Sequence, residues 1–322
     1  MKKIVLINLI ILILLIFLTE FTLRILLSYN VQGISENIPN KKINYNFNQP
    51  NLNYGKAFGV KIYTDKYGFR IKKNHFIKKN KKDILFVGGS VTFGPVITAD
   101  KTFVELLNND SNFNIRNASV FGTNLENNIE IIKNYVNLKE VDKIFINFPL
   151  DDIISNKVDY KRDSVNQVNQ REIVDSLKKN KVINYINTFV RSKSATYVFI
   201  KGIMANPQKN NYIHDLNLYK NKKLLDLLEV NLDLLSKVFS KEKIFFYSIP
   251  YAAQVKNGCG KSDGTEEILK EIFEKKGLEI FILKNNFCKT QKPIDYYFKN
   301  DPVHLSKTGH FAVYQSLKEF IN

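Results

Sequence analysis

The chain has 322 residues, 44% of them hydrophobic, which is enough for a membrane anchor plus one large domain or two small ones. Its net charge is +17, from 48 Lys and Arg against 31 Asp and Glu, but the lysines are scattered and no basic helix or RNA-binding signature accompanies them, which argues against a nucleic-acid partner. Two cysteines cannot close a zinc site unaided, and no His/Cys cluster suggests a metal or another cofactor.

In chain order, Met1-Lys2-Lys3 precedes an apolar run from Ile4 to Thr19, broken only by Asn8, and a last apolar patch follows at Ile25–Leu27. A bilayer-spanning helix needs about 20 residues, so Ile4–Leu27 suffices if Glu20 and Arg24 lie near the interface, where their four-residue spacing lets them pair. A cleaved signal peptide is the rival, but no Ala-x-Ala-like site follows the run. The expectation is an uncleaved signal anchor over residues 1–27. Lys2 and Lys3 then hold the N-terminus in the cytoplasm, and the rest of the chain faces outward, at the cell surface or in the periplasm. Residues 28–62 read as a tether, polar and Asn-rich as far as Pro50, and residues 63–322 as the main domain. Tyr63–Arg70 is a strand–turn–strand signal at its start.

From Asp83 strands and helices alternate. Asp83–Val87 is a short run of Ile, Leu, Phe and Val that suits a strand buried on both faces, and the helical pattern after Asp100 carries Phe103, Leu106 and Leu107 on one face. Further strands are expected at Asn114–Ser119, Val141–Phe148, Lys243–Ile249 and Leu278–Leu283. Helices are expected at Thr123–Leu138, Leu216–Phe239, Thr265–Lys276 and Lys307–Phe320. The stretch from about 153 to 213, with helical segments near Ile173–Val190 and Ala195–Met204, reads as an insertion over the top of the sheet. The alternation predicts a three-layer α/β/α sandwich around a mostly parallel five-stranded sheet.

Between the first strand and its helix lies Gly88-Gly89-Ser90, a tight turn able to expose a serine hydroxyl at the carboxyl end of a parallel sheet. It is not the Gly-x-Ser-x-Gly elbow, because Val91-Thr92 replaces x-Gly. Nor is it a phosphate loop, since no Gly-Lys-Ser/Thr follows. An ordinary turn is the bland reading. The other end of the chain weighs against that, because Asp301-Pro302-Val303-His304 supplies a base and a group to orient it. The remaining histidines read more plainly: His310 as a closing-helix residue, His75 in a basic loop and His214 on the surface. Cys259 and Cys288 are either a disulfide, as an extracytoplasmic domain would allow, or two free buried thiols.

With these residues placed, the chain resembles the SGNH (GDSL-type) hydrolase superfamily, in its membrane-anchored branch. Phe86–Gly94 is similar to that family's nucleophile block, with Gly-Gly-Ser where Gly-Asp-Ser is usual. Gly122, in Asn117–Gly122, matches the oxyanion-hole glycine, and Asp301–His304 matches the Asp-x-x-His block. Asp65–Arg70 looks like the Asn-x-x-Gly-Phe-Arg element that precedes the domain in anchored members, with Asp65 for asparagine. Asp151, in Phe148–Asp152, stands where the family carries an oxyanion-hole asparagine. The resemblance implies a flavodoxin-like SGNH fold. It also implies a serine esterase or acyltransferase with Ser90, His304 and Asp301 as the triad, and Ser90, Gly122 and the position of Asp151 around the oxyanion. The implied partners are an acylated cell-surface glycan or lipid, with a membrane acyl-donor protein if the reaction is transfer. An ionised Asp151 cannot donate a hydrogen bond and repels developing negative charge. Three readings follow: Asp151 is protonated; Asn147, Asn124 or Asn156 substitutes for it; or the protein is impaired and serves a binding or assembly role in the envelope.

Overall fold

The computed structural model describes residues 2–26, 48–136, 140–155, 180–256 and 259–321. They form two compact units. One comprises the N-terminal helix and residues 180–206; the other comprises the described residues of 48–155 and 207–321. In the smaller unit, α1 (Lys2–Ile25) is long and apolar enough to cross a membrane. The spacing of the pattern fits, since 24 residues at 1.5 Å rise cover about 36 Å.

The larger unit is built on an eight-stranded sheet of order β1-β2-β3-β5-β4-β6-β7-β8. The strands are β1 (Gly55–Ala57), β2 (Val60–Thr64), β3 (Arg70–Ile71), β4 (Asp83–Val87), β5 (Asn114–Asn117), β6 (Val141–Asn147), β7 (Ile244–Ser248) and β8 (Glu279–Ile282). β4 to β8 are the five expected strands and are mutually parallel. The count of five is corrected by β1–β3, which extend the sheet antiparallel at the β5 edge. They were hard to see because they are two to five residues long and carry no sustained apolar run. β1, the first three residues of β2 and the buried Asn48 fall within the stretch read as tether: Asn48 Nδ2 donates to Gly68 O and Ser119 O at 3.0 and 2.9 Å.

In chain order the helices of the larger unit begin with α2 (Ser90–Phe93), α3 (Phe103–Asp110) and α4 (Leu125–Val136). Two helices of the smaller unit intervene, α5 (Lys181–Lys193) and α6 (Ala195–Ala205). The larger unit resumes with α7 (Pro207–Leu218), α8 (Lys222–Val238), α9 (Ala252–Lys256), α10 (Thr265–Lys275), α11 (Lys284–Phe287) and α12 (Lys307–Leu317). The helix expected over Leu216–Phe239 is thus two helices. They divide at Tyr219–Asn221, where the Asn221 side chain accepts from Lys223 N and starts α8. Of the stretch read as an insertion, residues 156–179 lie outside the described residues. Residues 180–206 pack with α1, and α7 belongs to the larger unit.

Both sheet faces are covered. Phe103, Val104 and Leu107 of α3 and Val313 and Leu317 of α12 share one core with Ile84, Phe86 and Phe145. On the other face the ring of Phe273, from α10, lies edge-on to Phe148 and Phe246. Within the parallel strands β5-β4-β6-β7-β8 the direction of winding reverses at β4. In a doubly wound sheet the crevice beyond the strand ends opens at such a point. The residue that follows β4 is therefore placed at a natural binding crevice.

Candidate active site

The turn after β4 is shaped by close backbone packing. Gly88 has φ +153°, and a Cβ there would lie 2.8 Å from Thr92 Oγ1 and 3.0 Å from Asn147 Cβ, so only glycine fits. Gly89 is different: a Cβ would meet Thr123 O at an ordinary 3.5 Å. Ser90 is the first residue of α2, so its amide has no acceptor within that helix. The adjoining loop is stitched to the turn by Val120 N and Thr123 Oγ1, which donate to Gly88 O at 2.9 and 3.3 Å. Gly122, with φ +65°, lies in that loop.

Arg70 braces the far side of the turn. It is buried, and its guanidinium donates to the carbonyls of Phe93, Gly94 and Ile97 while lying over the Phe93 ring. Burial lowers its pKa to about 9, with Asp100 opposing. Asp65 shapes the turn that delivers Arg70: its carboxylate accepts from Tyr67 N at 2.8 Å and Phe69 N at 3.0 Å and pairs with Arg116. The Asp65–Arg70 element is thereby a support for the turn that carries Ser90, a role the sequence pattern did not disclose.

The second half of the site is a closed loop. Tyr297 and Leu305 pair as an isolated antiparallel bridge, and Phe298 N donates to His304 O at 2.9 Å. Tyr297 Oη donates to Pro250 O at 2.5 Å, and Ala252 N to Pro302 O at 2.9 Å, fixing the loop to the end of β7. The Ser306 side chain accepts from Gly309 N and starts α12 directly after the loop. Asp301 is buried, and its Oδ1 accepts from Val303 N at 2.9 Å and His304 N at 2.7 Å. Its Oδ2 lies 2.8 Å from His304 Nδ1, and His304 Nε2 lies 2.9 Å from Ser90 Oγ. The two sequence motifs, 214 residues apart, meet as one hydrogen-bonded chain.

With Nδ1 facing a carboxylate and Nε2 a hydroxyl, the imidazole is set to donate at Nδ1 and accept at Nε2. Burial pushes the Asp301 carboxyl up. His304 and the two backbone amides more than offset this and hold it below the usual carboxylate range. Burial likewise opposes a charged His304, but Asp301, with a further contribution from Asp151, raises its pKa above the ordinary imidazole value. Phe58 packs its ring 5.5 Å from the imidazole. It sits with Gly59 in the two-residue β1–β2 turn, both at positive φ, so a residue ill-suited to that backbone is held beside the histidine.

Asp151 lies in a 3₁₀ turn after β6 (Leu150–Ile153), near enough to His304 for the two charges to interact. Asp151 is exposed by its accessible surface, and the Tyr251 hydroxyl lies against its carboxyl. Burial and the neighbouring Asp215 raise its pKa, and the Tyr251 hydroxyl and His304 only partly offset this. Tyr251 Oη stands 3.1 Å from Asp151 Oδ1 and 2.9 Å from Asp215 Oδ2. One hydroxyl proton cannot serve both carboxylates at once. Asp152 is buried, and burial together with the neighbouring Asp151 pushes its carboxyl well above the usual carboxylate range.

Of the asparagines named as substitutes, Asn124 is engaged, whereas both side-chain polar atoms of Asn147 are buried without a hydrogen-bond partner among the described residues. Asn147 is wholly buried against Gly88, and Asn124 Nδ2 donates to Ile154 O at 2.9 Å. Asn156 lies outside the described residues. His214 is corrected from surface residue to partner of Asp215, at 2.6 Å. His310 is fully buried, stacks on Phe103 and accepts from Phe103 N. Burial, with Arg70 and His304, lowers its pKa to about 3, so it is a neutral core residue. Among the described residues no group of His, Cys, Asp and Glu could hold a metal ion. Cys259 and Cys288 are joined as a disulfide. Sequence reasoning missed Phe58, Asp215 and Tyr251, which stand in no local pattern and reach the site only through the fold.

The chain resembles the SGNH hydrolases. The sheet order, the serine at the turn after β4 and the Asp-x-x-His loop before the last helix carry that resemblance. No family model and no curated protein matches the chain. Solved structures similar to it include a member of the lipolytic G-D-S-L family from Veillonella parvula, 13% identical, covering 74% of this chain and 97% of that one at a TM-score of 0.43. A lipase/acylhydrolase from Enterococcus faecalis is 13% identical over 75% of this chain and 97% of that one, with a TM-score of 0.42. An acetylxylan esterase from Geobacillus stearothermophilus is 15% identical over 75% and 94%, with a TM-score of 0.38.

Proposed function

We propose that this chain is an extracytoplasmic SGNH-type serine esterase or acyltransferase, anchored by α1 and acting on acyl esters of a cell-surface glycan or lipid. The observation that carries this reading is the Ser90 Oγ–His304 Nε2–His304 Nδ1–Asp301 alignment at 2.9 and 2.8 Å. His304 takes the Ser90 proton as Oγ attacks the ester carbonyl, and the carbonyl π electrons move onto oxygen. The amides of Ser90 and Gly122 stabilise that oxyanion, and Asp151 in its neutral form adds a third donor. Collapse expels the alcohol, which leaves with the proton held by His304, and acyl-Ser90 remains. Water or a second hydroxyl then attacks the acyl carbon with His304 again as base, and collapse breaks the bond to Ser90 Oγ, which takes the proton back from His304, giving hydrolysis or transfer. Transfer from a membrane acyl-donor protein would use the same intermediate.

The anchor reading is supported by Lys2 and Lys3 ahead of the apolar run and by the disulfide, a bond that persists in oxidising compartments. A second reading, an impaired SGNH-fold protein with a binding or assembly role, is favoured by one observation: Asp151 beside Asp215 places negative charge near the oxyanion whenever both ionise. Labelling of the full-length protein by a fluorophosphonate separates the two. The catalytic reading expects labelling that Ser90→Ala abolishes. Equal background in both proteins, with no ester turnover, favours the second reading.

A further inference from the structure

We propose that the α5–α6 hairpin is an interfacial membrane-binding element, lying in the head-group region of the bilayer that α1 spans. The proposal rests on the reading of α1 as a spanning helix. Its starting point is Glu20, an acidic residue at the end of an apolar run. The Glu20 carboxylate accepts from the amides of Ala195 and Thr196 at 2.7 and 2.9 Å, from Thr196 Oγ1 at 2.7 Å and from Ser194 Oγ at 3.0 Å. It thus caps α6 at the end where a helix favours negative charge. Arg24 pairs with the same carboxylate at 2.6 Å and donates to Lys193 O, the last residue of α5.

These contacts fix the depth of the hairpin. Counting from Ile4, Glu20 is about 24 Å along the helix, near the far boundary of a hydrocarbon core about 30 Å thick. The side chains of Ile4 to Leu18 stay uncovered, whereas Leu23 is 3% exposed. Among the described residues, protein therefore covers α1 only where it leaves the acyl chains, and the remainder is left for lipid.

At that level the hairpin presents apolar side chains. Val182, Ile183, Tyr185, Ile186 and Phe189 of α5 are exposed and fall on one side of the helix. On α6 the exposed apolar residues are Ile200, Ile203 and Met204. Residues 180–206 carry four basic side chains, Lys181, Arg191, Lys193 and Lys201, and no acidic one. Apolar residues exposed at head-group depth, in a segment of one charge sign, match a surface lying on anionic lipid.

The test uses the full-length protein in phosphatidylglycerol-containing vesicles. The native cysteines are bridged, so a single introduced cysteine takes an environment-sensitive fluorophore at Leu12, Ile186 or Ile203. Spin labels placed near the head or the middle of the acyl chains report depth. Emission at Ile186 and Ile203 should fall by about half or more with the shallow quencher and less with the deep one, as for a segment 5–10 Å into the boundary. Leu12 should show the reverse order. Quenching at Leu12 with none at Ile186 and Ile203 leaves the anchor standing and overturns the hairpin proposal. No quenching at Leu12 removes the anchor reading, and the hairpin proposal with it. Dry but unquenched hairpin labels that crosslink between copies would assign the face to a second copy of the chain and overturn a lipid partner.

Discussion

Under the proposed function, Asp151 is the residue on which catalysis would turn, because it would act on two groups in opposite directions. As a carboxylate it repels the oxyanion, and it also raises the pKa of His304. His304 has to be neutral to serve as base, so a raised pKa moves the acid limb of kcat/KM above the ordinary imidazole range, about 6.5. Asp151 has to be protonated to donate, and its own pKa is raised by burial and Asp215, so its contribution is fullest at low pH and fades as pH rises. The two requirements oppose one another and narrow the active range. Asp151→Asn supplies a donor at every pH and removes one source of the His304 shift. Ester turnover at neutral to alkaline pH should rise about tenfold or more, given the worth of one donor, and the acid limb of the pH–rate profile should move to lower pH. A variant slower than wild type at neutral pH would show that Asp151 does not face the oxyanion.

At the scale of elements, the strand–turn–helix around Ser90 is held by an unequal pair of glycines. Gly88→Ala puts a Cβ 2.8 Å from Thr92 Oγ1 on a backbone with φ +153°. Strain and overpacking together should cost roughly 2–4 kcal/mol. Gly89→Ala meets only ordinary contact and keeps a common φ of −82°, so it should change stability by roughly 0.5 kcal/mol or less. Urea midpoints and fluorophosphonate labelling rates of the two variants, measured side by side, check the contrast. Equal losses would mean that the turn is set by something other than the contacts of Gly88. The same turn also relies on Arg70, whose buried guanidinium donates to the carbonyls of Phe93, Gly94 and Ile97.

For the whole molecule, the disulfide between Cys259 and Cys288 joins the segment after α9 to the one after α11. A crosslink across a separation of 29 residues constrains the unfolded chain, and in the chain-entropy model this is worth roughly 3–4 kcal/mol. Reduction of the full-length protein in detergent should therefore lower its urea midpoint, as should Cys259→Ser with Cys288→Ser. An unchanged midpoint under reducing conditions would show that the bridge adds no net stability. The bond also links the molecule to its compartment: if the larger unit faces outward as proposed, both thiols should resist alkylation in unreduced envelopes.

The sequence by itself determined what depends on local pattern. Apolar runs placed four of the five parallel strands, because strands buried on both faces need no alternation, whereas β5, Asn-Ile-Arg-Asn, carries no such run. The length and composition of Ile4–Leu27 marked α1, and Gly-Gly-Ser with Asp-x-x-His named the residues of the hydrogen-bonded chain. Only the tertiary structure decided the rest. β1–β3 are too short to carry a signal, and they exist because the β5 edge offers them partners. The pairing of Tyr251 with Asp151 and Asp215, across 100 and 36 residues, leaves no periodic trace. Phe58 beside His304, Arg70 behind the Ser90 turn and Glu20 at the start of α6 are likewise contacts between distant segments. Residue spacing records how a chain meets itself within a turn or two, whereas these side chains are defined by which elements the fold brings together.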